Sequence, residues 1–572
     1  MDHLGGIDAS FLYLETPEMP MHVGGLNIFE LPPGYQGDFL ENVRRHIQSR
    51  MHLAPVFQRK LLNMPFELAN PVWVADDDLD LEYHIRSTVL PKPGNRAQLD
   101  HLVGRLHSSQ LDRSRPLWEF YVIEGVENPP DAPKGTRRVA FYSKVHHAAL
   151  DGEGGAVLAQ SIMDITPVPR TVRPAPPRRP MDHDTYGIAE LVGAGLKNSA
   201  VQAAKLARAL PSLLRSAAQI LRPAPGNGPD GAEAATPGPA ASAPRGLKGA
   251  LGNQWFGPRT PINVSVTNQR IFSSLSLPLA DIKHIAKSHG VTLNDVVMAI
   301  CSSALRHYLA DLGCVPGTPL LAGVPVSLRE KGNTEMNTQA SMMRVSLASN
   351  IDDPLERLQA IRQSSLAAKA MTASMKSAMP MDFPSLGAPW LISGMASLYS
   401  RSRLANRLPP VVNVAISNVP GPKIALYLAG AKMLTYYPVS IAGHSMALNV
   451  TVQSYGGSLD FGLTACRKAM PDLPELARYM QAAYEELRQL TPAAMAADPA
   501  SALATHPAPM KKAGKPSRPR APAPKAAAVK TARADKARTG RRTAAPKTTA
   551  ALQLVAGQPK PARAARPRRA AS

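Results

Sequence analysis

Two adjacent imidazoles and a carboxylate stand together in the run Lys144-Val145-His146-His147-Ala148-Ala149-Leu150-Asp151-Gly152. Histidine is the side chain whose ordinary pKa suits proton removal near neutral pH. A carboxylate such as Asp151 can fix a histidine's tautomer or hold the loop that carries it, so the set suits activation of a hydroxyl. Two blander readings stand beside this one. A histidine on an apolar face is commonly a hydrogen-bonded core residue, and paired histidines can bind a metal. Metal fits poorly here, because sequence neighbours rarely aim at one ion and no third ligand stands at a suitable spacing.

The flanking residues say how such a pair is carried. Val139 to Val145 has the β-branched and aromatic composition of a strand. Period-two alternation puts Val139, Phe141, Val145 and His147 on one, more apolar face and turns His146 to the other. Asp151-Gly152 makes a turn, since glycine accepts positive φ. Ala156, Leu158, Ile162 and Met163 then read as a helix packing back on the strand. His147 is thus expected at a strand end or in the following loop, aimed inward.

At 572 residues the chain is too long for one ordinary core. Residues 1–180 are expected to form a first unit, with a strand over Gly24 to Phe29, a helix over Leu40 to His52 and a solvated acidic loop at Asp76 to Asp80. Residues 181–259 read as a linker that holds a basic amphipathic stretch from Ile188 to Leu221, kinked at Pro211. Such a stretch suits a membrane surface, or, more blandly, a crossover packed on the body. Residues 260–495 read as a second unit. In it, Leu448 to Tyr455 forms a strand that turns at Gly456-Gly457 into its partner, and Pro471 to Leu490 forms the last helix. The apolar run Pro384 to Tyr399 is broken by Pro389 and Gly394 and is shorter than the ~20 residues a membrane span needs.

The net charge of +22 belongs mostly to one end. Lys511 to Ser572 holds 18 of the 65 Lys and Arg against a single acid, Asp535, which leaves the rest of the chain only mildly basic. Residues 496–572 form an Ala/Pro/Lys/Arg tail that lacks the apolar area to offset ordering entropy and is expected to be disordered. It suits nonspecific attraction to a polyanion or an anionic lipid surface. Cys301, Cys314 and Cys466 are scattered and odd in number, which fits a reducing compartment and no disulfide framework. The start, Met1-Asp2-His3-Leu4-Gly5-Gly6, has none of the marks of a secretory signal peptide.

The motif His146-His147-Ala148-Ala149-Leu150-Asp151-Gly152 resembles the HHxxxDG signature of CoA-dependent acyltransferases, the chloramphenicol acetyltransferase and condensation-domain superfamily. Ile7 to Pro17 continuing into Met21-His22-Val23-Gly24-Gly25-Leu26, Pro116-Leu117-Trp118-Glu119, Thr292-Leu293-Asn294-Asp295, and Ser417-Asn418-Val419-Pro420-Gly421-Pro422 narrow this. They are similar, in order, to segments of the bacterial wax ester synthase/diacylglycerol acyltransferases. The resemblance implies an α/β fold of two chloramphenicol-acetyltransferase-like subdomains with a tunnel between them. It implies a long-chain acyl group passing from acyl-CoA, as co-substrate, to diacylglycerol or a fatty alcohol, without a further cofactor or metal. By resemblance His147 is the general base and His146 a positioning residue. Asp151 holds the loop by pairing with Arg329, and Gly152 makes the turn. Asn294, Asp295, Ser417 and Asn418 support the site, although a helix N-cap and a turn are their blander readings. A cytoplasmic enzyme held peripherally at the inner membrane or at lipid inclusions is expected. Two alternatives stay open: another acyltransferase or condensation enzyme of the same superfamily, and a non-catalytic protein that coats lipid droplets or tethers polyanions.

Overall fold

The computed structural model describes residues 2–64, 70–150, 154–175, 256–327, 340–376 and 389–492. Asp151, Gly152, Arg329, the Ile188 to Leu221 stretch and the basic tail lie outside the described residues. Chain order in the first part is β1 (Asp2–His3), α1 (Gly6–Leu14), β2 (His22–Glu30), α2 (Phe39–Gln48), β3 (Arg59–Leu62), β4 (Val72–Ala75), α3 (Leu81–His84), β5 (Ile85–Val89), α4 (Arg96–Ser108), β6 (Trp118–Val126), β7 (Arg138–His146) and α5 (Gly154–Ile162). The second part runs β8 (Arg270–Pro278), α6 (Leu279–Ser288), α7 (Leu293–Asp311), β9 (Leu321–Ser327), β10 (Ala340–Ser346), α8 (Pro354–Lys376), α9 (Pro389–Arg401), β11 (Val414–Val419), β12 (Tyr427–Leu428), β13 (Ala431–Val439), β14 (Leu448–Tyr455), β15 (Ser458–Cys466) and α10 (Leu473–Gln489).

Two six-stranded sheets organise these elements, in the orders β12-β13-β2-β7-β6-β5 and β10-β9-β11-β14-β15-β8. The alternation expected of β7 appears as two cores. Val139, Phe141 and Val145 join Trp118, Phe120 and Val122 of β6 in one cluster, while Ala140 and Tyr142 join Tyr121 and Ile123 in another. On the first face α2 places Phe39, Val43 and Ile47 at helical spacing, all fully buried. Asp38 caps that helix by accepting the Glu41 N–H at 3.2 Å. The second sheet packs on α6, α7 and α10 through its own large cluster.

One exchange cuts across a division at residue 260. β12 and β13 belong to the second half in sequence but extend the first sheet, with Lys432 to Val439 lying antiparallel to Gly24 to Glu30. The cluster on that side contains Leu26, Ile28 and Tyr142 from one half and Phe272, Tyr437 and Val439 from the other. Backbones come so close there that a Cβ on Gly462 would stand 1.7 Å from the Pro438 carbonyl oxygen, so only glycine fits. α4 completes the joint: Ser108 Oγ accepts the Arg270 N–H at 2.9 Å, and Arg96 Nε donates to Ser274 Oγ at 2.9 Å. Ser274 Oγ in turn donates to the buried Asp100 carboxylate at 2.8 Å.

The hairpin at Gly456-Gly457 forms as expected, with φ of 55° and 96°, and so does the last helix. Two local expectations are corrected. The N-cap of α7 is Thr292, not Asn294 or Asp295. Thr292 and Asp295 close a reciprocal capping box, since the carboxylate reaches back to the Thr292 N–H at 2.9 Å. Asp76 is not a solvated acid; it is buried and accepts the Lys60 ammonium at 2.8 Å, while Asp77 and Asp78 are exposed.

Candidate active site

β7 is antiparallel to both neighbours, and its last residue His146 lies opposite His22 of β2. The strand ends there, and His147 to Ala149 make one 3-10 turn. The His147 N–H donates to the Met21 carbonyl at 2.8 Å. Its imidazole stacks on Phe11 of α1 with centroids 3.8 Å apart and planes 14° apart. The ring is only partly covered, yet its Nδ1 is buried and has no hydrogen-bond partner among the described residues. Burial, with a smaller push from His146, drives its pKa down to about 4 against a partly opposing contact with its own backbone. The ring is therefore neutral at physiological pH, so one of its two nitrogens carries the lone pair that accepts a proton.

His146 faces the other way and is fully buried. Its Nδ1 accepts the Ala148 N–H at 3.1 Å, which leaves the proton on Nε2, 3.5 Å from Glu15 Oε1. Glu15 follows α1 directly and is a hub. Its Oε1 accepts the Met21 N–H at 3.0 Å and its Oε2 accepts Arg113 Nη2 at 2.6 Å. Burial alone would raise its pKa; the His146 ring, Arg113 and the Met21 N–H outweigh that and hold it at about 2. One carboxylate thus lies beside the His146 ring and holds the N–H of Met21, whose carbonyl anchors His147. Phe11 and Glu15 lie in the Ile7 to Pro17 segment that carries the resemblance but were not singled out within it, and Arg113 carried no signal.

The core-histidine reading fits other histidines. His22 Nε2 donates to the His107 carbonyl at 2.8 Å, and His107 donates to Ser440 O at 3.0 Å while accepting the Tyr142 hydroxyl at 2.7 Å. Burial holds His107 at about 3 and His22 well below its ordinary value, so both are neutral. Glu119 of the Pro-Leu-Trp-Glu segment reaches Lys144 across the β6–β7 pair at 2.9 Å, with both side chains buried.

The remaining predicted residues are dispersed. Asp295 is buried at the start of α7 beside half-buried Asn294, and no contact among the described residues links either to His147. Ser417 and Asn418 are not turn residues: they are the half-buried end of β11, paired in parallel with Thr451 and Val452 of β14. No cluster of His, Cys, Asp or Glu suited to a metal ion occurs among the described residues.

Residues 4–297 match the wax ester synthase/diacylglycerol acyltransferase catalytic domain and residues 337–488 the C-terminal domain of the same family. The chain is 34% identical over 487 residues to a Mycobacterium tuberculosis protein named as a diacylglycerol O-acyltransferase, covering 84% of this chain and 98% of the relative. It is 32% identical over 488 residues to the O-acyltransferase WSD of Acinetobacter baylyi, covering 84% and 96%. The solved wax ester synthase/diacylglycerol acyltransferase of Marinobacter aquaeolei superposes with a TM-score of 0.57 at 29% identity, covering 85% of this chain and 99% of that one. The two-sheet frame, the histidine pair at the end of β7 and these matches along both halves place the chain in the wax ester synthase/diacylglycerol acyltransferase family.

Proposed function

We propose that the protein moves a long-chain acyl group from acyl-CoA directly to the hydroxyl of diacylglycerol or a fatty alcohol. His147 takes the proton from that hydroxyl as the oxygen attacks the thioester carbonyl. The carbon–sulfur bond breaks, and the thiolate of CoA recovers the proton from the imidazolium. No acyl-enzyme forms. The observation that carries this reading is the His147 ring: neutral, half covered and clamped against Phe11 just past the end of β7. A tunnel between the two halves would exclude the water that competes for the acyl group.

The test is a lipid product analysis with purified protein, palmitoyl-CoA and three acceptors: hexadecanol, diacylglycerol and hexadecylamine. Ester products with stoichiometric release of CoA are expected. Preferred acylation of the amine would overturn the reading.

In this mechanism Glu15 positions the base without touching substrate. Glu15→Gln keeps the shape but removes the charge that Arg113 and His146 face. It is expected to lower kcat by about tenfold, the scale of losing an orienting contact, with KM for acyl-CoA little changed. A loss of stability without any change in kcat of the folded enzyme would make Glu15 purely structural.

Partners beyond the substrates follow from the lipid chemistry. The basic stretch Ile188 to Leu221 would hold the enzyme at the inner membrane surface or a lipid inclusion, and the basic tail would add attraction to polyanions. No helix among the described residues is long and apolar enough to cross a membrane.

A further inference from the structure

Three residues past Glu15 the chain lines a concavity. It measures about 250 Å3, and its walls include Glu18, Ser265, Thr267, Arg401, Arg403 and Lys468. Arg401, Arg403 and Lys468 are exposed at its rim, and none forms an ion pair among the described residues. Ser265 Oγ is buried there without a hydrogen-bond partner among the described residues, while the Ser265 N–H is fixed on Asn406 Oδ1 at 2.6 Å. Arg403 sits at φ 50° just past the end of α9, the left-handed position where helices ordinarily place glycine. The one carboxylate, Glu18, accepts the Ser400 hydroxyl at 3.1 Å. Its backbone carbonyl is held by Arg270 Nη2 at 2.9 Å. The walls thus carry three cations against one anion, with a hydroxyl that no described residue satisfies.

We infer that this pocket binds a phosphate ester, and that the ester is a phosphate of the CoA donor. Guanidinium and ammonium groups set around hydroxyls match the charge and the several acceptor oxygens of a phosphate. The volume is below the ~300–1,000 Å3 of pockets that enclose a drug-sized molecule, so it suits a charged head and not a fatty chain. The assignment of the ester to CoA rests on the acyl-CoA reading above. It is supported by place: α1 and α9 pack together, α1 carries Phe11 against the His147 ring, and α9 leads into Arg401 and Arg403. Phosphates gripped here would hold the remote end of the donor while its thioester lies at the base, so remote binding energy would position the reacting bond.

The experiment is a calorimetric titration of CoA into the full-length protein, paired with initial rates on palmitoyl-CoA and on palmitoyl-pantetheine, which has no phosphate. Lys468→Ala and Arg401→Ala are each expected to weaken CoA binding and raise KM for palmitoyl-CoA about tenfold, the scale of one charge-assisted contact. KM for palmitoyl-pantetheine stays unchanged. Glu18→Gln is expected to tighten CoA binding, a direction that structural damage does not produce. Lys369→Ala, on the exposed surface of α8, changes neither quantity. Equal CoA affinity in wild type and in the Arg401→Ala/Arg403→Ala/Lys468→Ala triple variant overturns the pocket. An equal KM rise on palmitoyl-pantetheine does the same. If the triple variant keeps CoA affinity but loses binding to phosphatidic acid vesicles, the ester is a lipid headgroup and the assignment to CoA is overturned. A wild-type protein that binds no CoA sinks the acyl-CoA reading itself, whereas binding that the variants retain sinks only the pocket.

Discussion

Replacing His147 with alanine is expected to lower turnover by about 10²–10⁴-fold, the usual contribution of a positioned general base, in a protein that remains folded. The two effects separate because of how the residue is held. Its N–H to Met21 O bond is a backbone contact that alanine keeps. What is lost is the stack on Phe11, worth about 0.5–1.5 kcal/mol, less than the roughly 2.7–5.5 kcal/mol that a 10²–10⁴-fold change in turnover represents. The pH dependence follows from the same burial. With the imidazolium held down to about 4, the ring is already the base at neutral pH. It is protonated, and useless as an acceptor, only below that value. Accordingly kcat/KM should run level from pH 7 to about 5 and fall as the pH drops through about 4. Initial rates across this range, checked against circular dichroism at each pH, measure both claims. More than a tenth of wild-type turnover in folded His147→Ala would remove the imidazole from the mechanism. A decline centred near 6.5 would mean that the ring is solvated in the working enzyme.

The parts of this site that were legible in the sequence are those written in local patterns. Alternation in Val139 to Val145 predicted both the strand and its two faces, and the faces appear as separate clusters. A Gly-Gly pair between two apolar runs predicted the β14–β15 hairpin because only positive φ closes it. Long-range pairing left no such trace. Asn27 and Met433 are 406 positions apart, yet the Asn27 amide donates to the Met433 sulfur at 3.3 Å across β2 and β13. Nothing in the composition of Ala431 to Val439 says which sheet it joins. Glu15 was equally hidden. It stands 98 positions from Arg113, and a lone acid after a helix resembles any solvated acid until the fold buries it. One misreading and one unread pair had readable signals. Thr292-x-x-Asp295 is a capping-box pattern, which fixes the N-cap two residues before Asn294. Lys144 sits among Phe141, Tyr142 and Val145 on a strand with no solvent face, and a lysine there demands a buried acid.

That acid is Glu119, and its loss is the largest stability effect expected of a single substitution here. The Lys144 ammonium is fully buried and lies 2.9 Å from Glu119 Oε2, with the Ser109 carbonyl at 3.1 Å as its next acceptor. Glu119 also accepts the Tyr121 hydroxyl at 2.9 Å. Glu119→Ala would leave a buried positive charge with the Ser109 and Leu106 carbonyls as its hydrogen-bond acceptors among the described residues and Glu15 as the next carboxylate. Removing one partner of such a pair destabilises by about 3–5 kcal/mol. Replacing both partners with apolar residues of similar size, as in Glu119→Leu/Lys144→Met, removes the stranded charge with the attraction and should restore most of that loss. Urea unfolding midpoints of Glu119→Leu, Lys144→Met and the double variant isolate the coupling. A Glu119→Ala variant destabilised by less than about 1 kcal/mol would show that water reaches Lys144. The pair also matters to the chemistry, because Lys144 lies two residues before His146 on the same strand. Pinning β7 to β6 at Glu119 fixes the register at which the strand ends, and with it the point where the chain turns to present His147. Glu119→Ala should therefore cost activity in proportion to the unfolded fraction and, within the folded fraction, lower kcat more than it raises KM.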